Sequence, residues 1–258
     1  MKILNNKKDL ENNDLFIFIP KFHKIVPLKF NINVNFEDLQ EIDDQKKIIL
    51  DNTINFLNNK NSNNILLWGA KGMGKSTLIK CVAKHVNSNF RKKIKLIEIL
   101  NNNILDLVEI ICELSQSKYK FIIFIDDISF NSNDNEFRLF KSLVEGSLLS
   151  NIDNVKYYIT SNLRHLSHKE NKSNINQLEE KESNQNLISL SDRFGAWIGF
   201  YDSSQEQYLN IVKYYLKKYF IKYSSEIEKS ALRWSLEKGN FSGRTAMQFV
   251  NNVLNNYK

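Results

Sequence analysis

A chain of 258 residues, 42% hydrophobic and 25% charged, is long enough for one large domain, or for one domain with a small satellite, around a buried core. Its net charge of +7 is spread along the chain, which is typical of a solvated surface and indicates no concentrated nucleic-acid or membrane patch. The start turns polar too soon for a signal peptide, no apolar run approaches the ~20 residues of a membrane span, and Cys81 and Cys112 lack metal-site spacing. We therefore expect a cytoplasmic protein that does not interact with a membrane.

In chain order, residues 1–35 are expected to form an extended N-terminal segment, followed by a helix in FEDLQEIDDQKKIILDNTINFL. Short apolar runs then alternate with helical patterns, which predicts an α/β core over residues 36–202 with a parallel sheet covered by helices. Its predicted strands are ILLW, KIKLIEIL, KFIIFI, VKYYIT and WIGFY. Residues 167–186 lack large apolar side chains and predict a polar surface loop. Residues 203–258 predict three helices, a small all-helical subdomain.

GAKGMGKST follows the first core strand and precedes a helix, and it fits the GxxxxGK[ST] pattern. In this pattern glycines let backbone N–H groups face a phosphate, the lysine reaches the β- and γ-phosphates, and the hydroxyl holds Mg²⁺. Because the pattern alone also occurs by chance, the strand before it and the helix after it carry much of the prediction. The predicted nucleotide-binding residues are Gly69, Ala70, Lys71, Gly72, Met73, Gly74, Lys75, Ser76 and Thr77.

Two later strands end in polar residues. FIIFIDDISF places Asp126 and Asp127 at the carboxyl edge of the sheet, where Asp126 is expected to hold Mg²⁺ and Asp127 to polarise water. YYITSN places Thr160, Ser161 and Asn162 at the same edge, where such groups can position a water beside the γ-phosphate. Taken alone, the first stretch is also compatible with an ordinary acidic strand end, and the second with an ordinary Ser/Asn turn after a strand.

Two arginines lie outside these stretches. Arg193 in SDRFG precedes the last strand, and a surface arginine is its simplest interpretation. Arg244 in SGRT begins a helix of the C-terminal subdomain, where a cation opposes the helix dipole and so favours a nearby anion.

GAKGMGKST, FIDDISF, ITSN, SDRFG and SGR, in this order and with a helical tail, resemble an AAA+ P-loop ATPase. Longer strings, including NILLWGAKGMGKSTLIK and SLSDRFGAWIGF, resemble a bacterial AAA+ family known only as a domain of unknown function (DUF815), and FIDDI and SDRF resemble the replication-initiator and helicase-loader branch. The resemblance implies Walker A (Gly69, Gly74, Lys75, Ser76), Walker B (Asp126, Asp127), sensor 1 (Asn162), an arginine finger (Arg193), sensor 2 (Arg244) and adenine near Ile42 and the lid helices. Many AAA+ hydrolases carry Glu where this chain has Asp127, and the shorter acid suits a slow switch better than a fast motor.

The resemblance implies an ATPase that uses ATP and Mg²⁺, assembles into a homo-oligomer with ATP, and acts on a protein partner. The alternative is a nucleotide-gated binding module, for a protein or for single-stranded nucleic acid, with little or no hydrolysis. A protein-threading machine is disfavoured because IEILNNNILDL lacks the aromatic and glycine of a gripping loop. A small-molecule kinase is disfavoured because the polar loop contains no arginine.

Overall fold

The elements follow the predicted alternation of apolar strands and amphipathic helices. A computed structural model describes residues 3, 7–29, 33–128, 135–144, 149, 152–162 and 194–256. The strands are β1 (Leu15–Ile19), β2 (Lys24–Pro27), β3 (Ile65–Gly69), β4 (Ile94–Ile99), β5 (Lys120–Ile125), β6 (Val155–Ser161) and β7 (Ala196–Phe200). The helices are α1 (Lys7–Asn12), α2 (Asp43–Leu57), α3 (Lys75–Asn89), α4 (Leu107–Ser115), α5 (Asn135–Val144), α6 (Gln205–Lys218), α7 (Ser225–Lys238) and α8 (Gly243–Asn256). Within the described ranges, none of these helices has both the length and the apolar character needed to cross a bilayer.

The described strands form one seven-stranded sheet in the order β2-β1-β4-β5-β6-β3-β7. All neighbouring strands run parallel except β1 and β2. β6 lies between β5 and β3, so the carboxyl ends of these three strands lie side by side. This is the edge at which parallel α/β sheets bind their ligands. The predicted α/β class is confirmed, and the strand order assembles the candidate site.

The sheet is buried on both faces, which explains the nearly continuous apolar strands. Alternate residues of β5 point to opposite faces, so Phe121, Ile123 and Ile125 pack into one core cluster. Ile122 and Phe124 pack into the other cluster, on the face covered by α2 and α3. Each of these five side chains is at most 1% exposed. A strand with polar alternation could not occupy this position.

The N-terminal segment differs from the extended stretch that the sequence predicts. Its described residues contain α1 and a β1–β2 hairpin, and β1 pairs parallel with β4. Phe16 and Phe18 on β1 are 2% and 0% exposed, and Ile25 on β2 is 3% exposed. The apolar run LFIFI of Leu15–Ile19, in which buried and half-buried residues alternate, is therefore a strand signal, and the hairpin extends the sheet beyond β4.

α6, α7 and α8 form the predicted C-terminal helical subdomain, called the lid below. Their apolar faces meet in a separate cluster that includes Tyr208, Val212 and Phe249. The Tyr208 hydroxyl donates to the carbonyl of Ala231 at 3.0 Å and so links α6 to α7. At the start of α6, Ser204 forms a capping box with Gln207.

Candidate phosphate-binding site

The loop between β3 and α3 is held against the end of β7 and against the lid. Gly69 has a φ of 117°, and a Cβ there would lie 2.0 Å from the carbonyl oxygen of Phe200. That oxygen accepts the amide of Ala70 at 2.8 Å. Gly72 has a φ of 79°, and a Cβ there would lie 2.7 Å from Ser242 Oγ. Only glycine fits either position, because both the backbone conformation and the space exclude a side chain.

α3 begins at the end of this loop with an uncapped N-terminus. Its N-cap, Gly74, provides no side-chain hydrogen bond to the first turn. Backbone N–H groups without a side-chain or intrahelical partner favour an anion at such a terminus. Of the other predicted loop residues, Lys71 is exposed, whereas Met73 and Thr77 are half-buried. Loop and helix start therefore form a concave donor surface suited to a polyphosphate.

Lys75 is the buried cation of this surface, with 6% of its area exposed. Its ammonium donates to the carbonyl oxygens of Gly69 and Ala70, each at 2.8 Å, and to Asn162 Oδ1 at 3.0 Å. Burial lowers the pKa of Lys75 to about 8, although the charges of Asp127 and Asp126 act in the opposite direction. The two carbonyl oxygens accept hydrogen bonds but carry no net charge, so a phosphate would supply an anionic partner for the ammonium.

Asp126 collects two hydroxyl groups at the end of β5. Ser76 Oγ and Thr160 Oγ1 each donate to Asp126 Oδ1 at 2.5 Å. Mg²⁺ prefers such oxygen ligands and commonly uses one or two protein carboxylates together with substrate phosphates. The predicted pair Ser76 and Asp126 is thus brought together with a donor set that fits this ion.

Asp127 and Asn162 are also neighbours, as expected from the adjacency of β5 and β6. Asn162 Nδ2 donates to Asp127 Oδ1, while Asn162 Oδ1 accepts from Lys75. The side chains of Lys75, Asn162 and Asp127 therefore form a continuous hydrogen-bonded chain. Asp127 has a φ of 53°, in the left-handed region that Asp tolerates better than most residues. This backbone conformation turns the chain sharply at the end of the strand.

Thr160 bridges the two acids, a role that the sequence does not assign to it. Its hydroxyl donates to Asp126 and accepts the amide of Asp127 at 2.8 Å. Thr160 is 1% exposed, so this hydroxyl has no access to bulk water. The sequence shows only that Thr160 lies two residues before Asn162, near the end of a predicted strand. Its contact with Asp126 and Asp127 can be inferred only when β6 is known to lie beside β5.

The lid contacts the phosphate loop through the start of α8. The amide of Arg244 donates to the carbonyl of Gly72 at 3.2 Å, and Ser242 packs on the same glycine. The positive charges of Lys71 and Arg244 add to the lowering of the Lys75 pKa. Arg244 thus lies beside the loop, so that an anion there would meet charges from both core and lid.

The predicted adenine neighbour, Ile42, lies beside the last glycine of the loop. Ile42 is 6% exposed, and a Cβ on Gly74 would lie 3.9 Å from its Cδ1 and 3.7 Å from Leu39 Cδ2. Ser203, just before α6, donates to the sulfur of Met73 at 3.8 Å. Apolar side chains just before α2 and the residue just before α6 therefore lie at the same end of the loop.

A second lid–core junction is centred on Asp38, which is 4% exposed. Its carboxylate accepts from the Asn35 amide at 2.7 Å, from the Tyr214 hydroxyl at 3.0 Å and from Lys218 at 2.6 Å. The Tyr215 hydroxyl donates to the Asp38 carbonyl at 3.0 Å. Burial opposes the charged form, but these hydrogen bonds outweigh it and hold the pKa of Asp38 below its usual value. The sequence gives no sign of this junction, because its partners are far apart in the chain.

An aromatic group borders the loop on the outer side of the sheet. The Trp68 and Trp197 rings lie 5.1 Å apart, and Tyr201 meets Trp68 edge-on at 5.7 Å. Trp68 directly precedes Gly69, and Trp197 lies on β7, whose last residue contacts Gly69. This aromatic group therefore adjoins the residues of β3 and β7 that hold the start of the loop.

Two of the sequence-based predictions fall on residues that the structure does not describe. Arg193 and the polar loop over residues 167–186 both lie outside the described ranges.

Comparison with known proteins gives a family and a fold. Residues 11–257 match the family described as Protein of unknown function (DUF815). No curated protein matches the sequence. The match therefore includes the β1–β2 hairpin as well as the core and the lid.

Three solved structures resemble the fold. The RuvB Holliday junction branch migration motor of Thermotoga maritima matches with a TM-score of 0.52 and 17% identity, over 82% of this chain and 61% of that one. The Orc1 protein of Aeropyrum pernix, in complex with DNA, matches with a TM-score of 0.59 and 13% identity, over 85% and 62%. AMPPCP-bound DnaA from Aquifex aeolicus matches with a TM-score of 0.55 and 14% identity, over 88% and 66%. This chain therefore spans about three fifths of their length, and what it shares with them is the fold of AAA+ P-loop ATPases.

Proposed function

Because this chain belongs to the family described as Protein of unknown function (DUF815) and has the AAA+ fold, we propose that it binds ATP with Mg²⁺ and hydrolyses the β–γ phosphate bond. The observation that carries the proposal is the hydrogen-bonded chain of Lys75, Asn162 and Asp127 beside the pair of Ser76 and Asp126. These side chains come from three strand ends and meet at one edge of the sheet. A structural role alone does not explain a buried lysine that faces backbone carbonyls in an uncapped helix start.

The residues divide between holding the nucleotide and positioning the attacking water. The loop amides and Lys75 bind the phosphates, and Ser76 and Asp126 hold Mg²⁺, which neutralises phosphate charge when bound. Asp127 and Asn162 orient a water whose oxygen attacks the γ-phosphorus as the bond to the β-phosphate oxygen breaks, releasing ADP and phosphate. Ile42 and the start of the lid contact the adenine.

The hydrogen bond between Asn162 and Asp127 suits a slow switch. In the absence of phosphate, Asn162 occupies one oxygen of the carboxylate that would polarise water. A γ-phosphate that engages Lys75 and Asn162 competes for this amide and frees the carboxylate. The same contact supports the second candidate function, a nucleotide-gated binding module with little hydrolysis, if the contact persists with ATP bound.

Arginines from two sources complete the site in this proposal. Arg244 comes from the lid, and Arg193 comes from a neighbouring copy of the chain. Such an arginine can accelerate phosphoryl transfer by a factor of ~10³–10⁵. ATP bound between copies would therefore favour a homo-oligomer, whose lids move on hydrolysis and act on a protein partner.

The decisive variant is Lys75→Ala, with Lys60→Ala as a control outside the loop. Lys75 is buried in the site, whereas Lys60 is exposed. We expect Lys75→Ala to abolish MgATP binding measured by calorimetry and phosphate release measured over time, and Lys60→Ala to retain both. Tight MgATP binding by Lys75→Ala would overturn the proposal. Tight binding by the unaltered protein without phosphate release would select the nucleotide-gated module.

A further inference from the structure

The turn after α6 carries an aromatic residue in a conformation that favours glycine. Phe220 has a φ of 59°, and 98% of its area is exposed. The turn is closed by hydrogen bonds from the Phe220 amide to Lys217 O at 3.0 Å and from the Ile221 amide to Leu216 O at 2.9 Å. Helices often end this way, with glycine as the preferred residue in the left-handed position.

α7 ends in the same turn with the expected residue. The amides of Gly239 and Asn240 donate to Leu236 O at 3.1 Å and Ser235 O at 3.2 Å. Gly239 has a φ of 69°, and a Cβ there would meet nothing within 4 Å. The lid thus uses glycine in one of two equivalent turns and a fully exposed phenylalanine in the other. A residue that conflicts with its local backbone and buries nothing points to a role outside the fold.

A basic groove of about 560 Å³ lies beside this phenylalanine. Its lining consists of Lys213, Lys217, Phe220, Ile221, Lys222 and Tyr223. None of the three lysines lies within ion-pair distance of a carboxylate in the described ranges, whereas the neighbouring Lys218 is paired with Asp38. Although positive charge is spread evenly along the sequence, folding therefore gathers three uncompensated lysines around one exposed ring.

The second ring of the groove, Tyr223, is held by two contacts. The Tyr223 hydroxyl donates to Glu228 at 2.7 Å, and the Lys213 ammonium lies 5.1 Å from the centre of the Tyr223 ring. The closed turn fixes the backbone of Phe220, whose ring projects into solvent. The groove thus presents one held ring and one exposed ring among the lysines.

We propose that this lid groove binds single-stranded nucleic acid, with bases stacking on Phe220 and phosphates on the lysines. Proteins that bind single strands combine a positive groove with aromatic platforms. An acidic peptide matches the charge but also carries backbone N–H and C=O groups that need partners. The turn offers it few, because the carbonyls of Leu216 and Lys217 are already bonded within the turn. The proposal does not depend on ATP hydrolysis.

The test is fluorescence anisotropy of labelled 20-nucleotide oligothymidylate and oligouridylate with the full chain at 50 and 200 mM salt. We expect Phe220→Gly to weaken binding about 5- to 150-fold, the range of one stacking contact, and Phe220→Trp to retain it. Because glycine suits the turn, Phe220→Gly is expected to keep or raise the melting temperature, which a structural role for Phe220 would not allow. Phe22→Ala, at a ring that is 57% exposed in the N-terminal segment, is the matched control and is expected to bind normally.

A second experiment tests the role of charge with the double variant Lys217→Glu and Lys222→Glu. Lys60→Glu, at an exposed lysine of the core, is the control. For every phosphate that the protein no longer neutralises, the slope of log affinity against log salt should become shallower by about 0.7. Tighter binding of oligothymidylate would identify DNA as the preferred single strand, and tighter binding of oligouridylate would identify RNA. Either result supports the proposal.

Unchanged binding in Phe220→Gly would overturn the proposal, as would absence of oligonucleotide binding by the unaltered protein. Phe220-dependent binding of a labelled peptide of alternating Glu and Leu, without oligonucleotide binding, would replace it with an acidic protein partner. Lys75→Ala separates the two proposals, since it is expected to lose MgATP binding and keep the oligonucleotide.

Discussion

The ammonium of Lys75 is almost fully enclosed and faces two carbonyl oxygens and an amide oxygen. Because burial lowers its pKa to about 8, this lysine loses its proton at a lower pH than an ordinary lysine. The unfolded chain, with an ordinary lysine pKa, holds this proton up to about pH 10. Between about pH 8 and 10 the unfolded chain therefore binds more protons, so the contribution of Lys75 to stability becomes more favourable as pH rises.

We expect the affinity for MgATP to change with pH in the opposite sense. A polyphosphate needs the charged lysine, so affinity should fall as pH rises through about 8, and binding near and above that pH should take up a proton, whereas binding well below it should not. Calorimetry between pH 7 and 9.5, in buffers of different ionisation enthalpy, measures both quantities. Lys75→Arg is the control, because arginine stays charged over this range and should remove the pH dependence. A flat affinity in the unaltered protein would contradict the argument.

Residues that act through their near neighbours in the chain are the ones that the sequence predicts best. The phosphate loop, Lys75 and Ser76 lie within one strand–loop–helix unit, so spacing alone places them. Thr160 and Asp38 act through partners 34 and about 180 positions away, and no local pattern reveals those pairs. Asp126, Asp127 and Asn162 lie between these cases, because strand ends are recognisable but their adjacency depends on the sheet order.

At the scale of elements, the end of α6 is attached to the core around one buried carboxylate. Asp38 receives Lys218 and Tyr214 from α6, and its carbonyl receives Tyr215. The lid also meets the core where Asn210 donates to Glu41 at 3.1 Å and where α8 contacts Gly72. A lid that moves on hydrolysis would rotate about one of these contacts while the others open.

We expect Asp38→Asn to lower the free energy of unfolding by about 1–3 kcal/mol, because Lys218 loses its counter-ion and a buried hydrogen-bonded group becomes mismatched. Chemical denaturation measures the loss, and hydrogen exchange should show faster opening in α6. The depressed pKa of Asp38 makes its contribution present above about pH 4 and lost as the pH falls below that value.

Asp43→Asn removes the same charge at a side chain that is 85% exposed, and it is expected to change stability by less than about 0.5 kcal/mol. Equal stabilities for the two variants would show that the Asp38 junction does not hold the lid.

Element types were predictable where periodicity was long or burial was complete. The five core strands and the three lid helices follow from their apolar patterns. The β1–β2 hairpin was missed because its strands lie among polar residues and precede the regular alternation of strands and helices. Its place beside β4 is decided by an open sheet edge, which the N-terminal sequence alone does not show.

For the whole molecule, the proposed use of Arg193 across copies makes activity depend on assembly. We expect ATP turnover per chain to rise with protein concentration, in parallel with ATP-dependent association in sedimentation. Arg193→Ala should flatten that rise while leaving MgATP affinity intact, and Arg91→Ala, an exposed arginine at the end of α3, should not. Turnover per chain that is independent of concentration and unaffected by Arg193→Ala would show that each copy works alone.

The two neighbouring indoles beside the phosphate loop have a practical consequence. Trp68 is joined by one peptide bond to the glycine that begins the loop, and its partner Trp197 lies on the strand against which that glycine is pinned. A shift of the loop must change the surroundings of this pair, while Trp234 on α7 belongs to the lid. The protein therefore carries its own optical label at each of the two parts whose relative motion matters, and its intrinsic emission can follow their state without an attached dye.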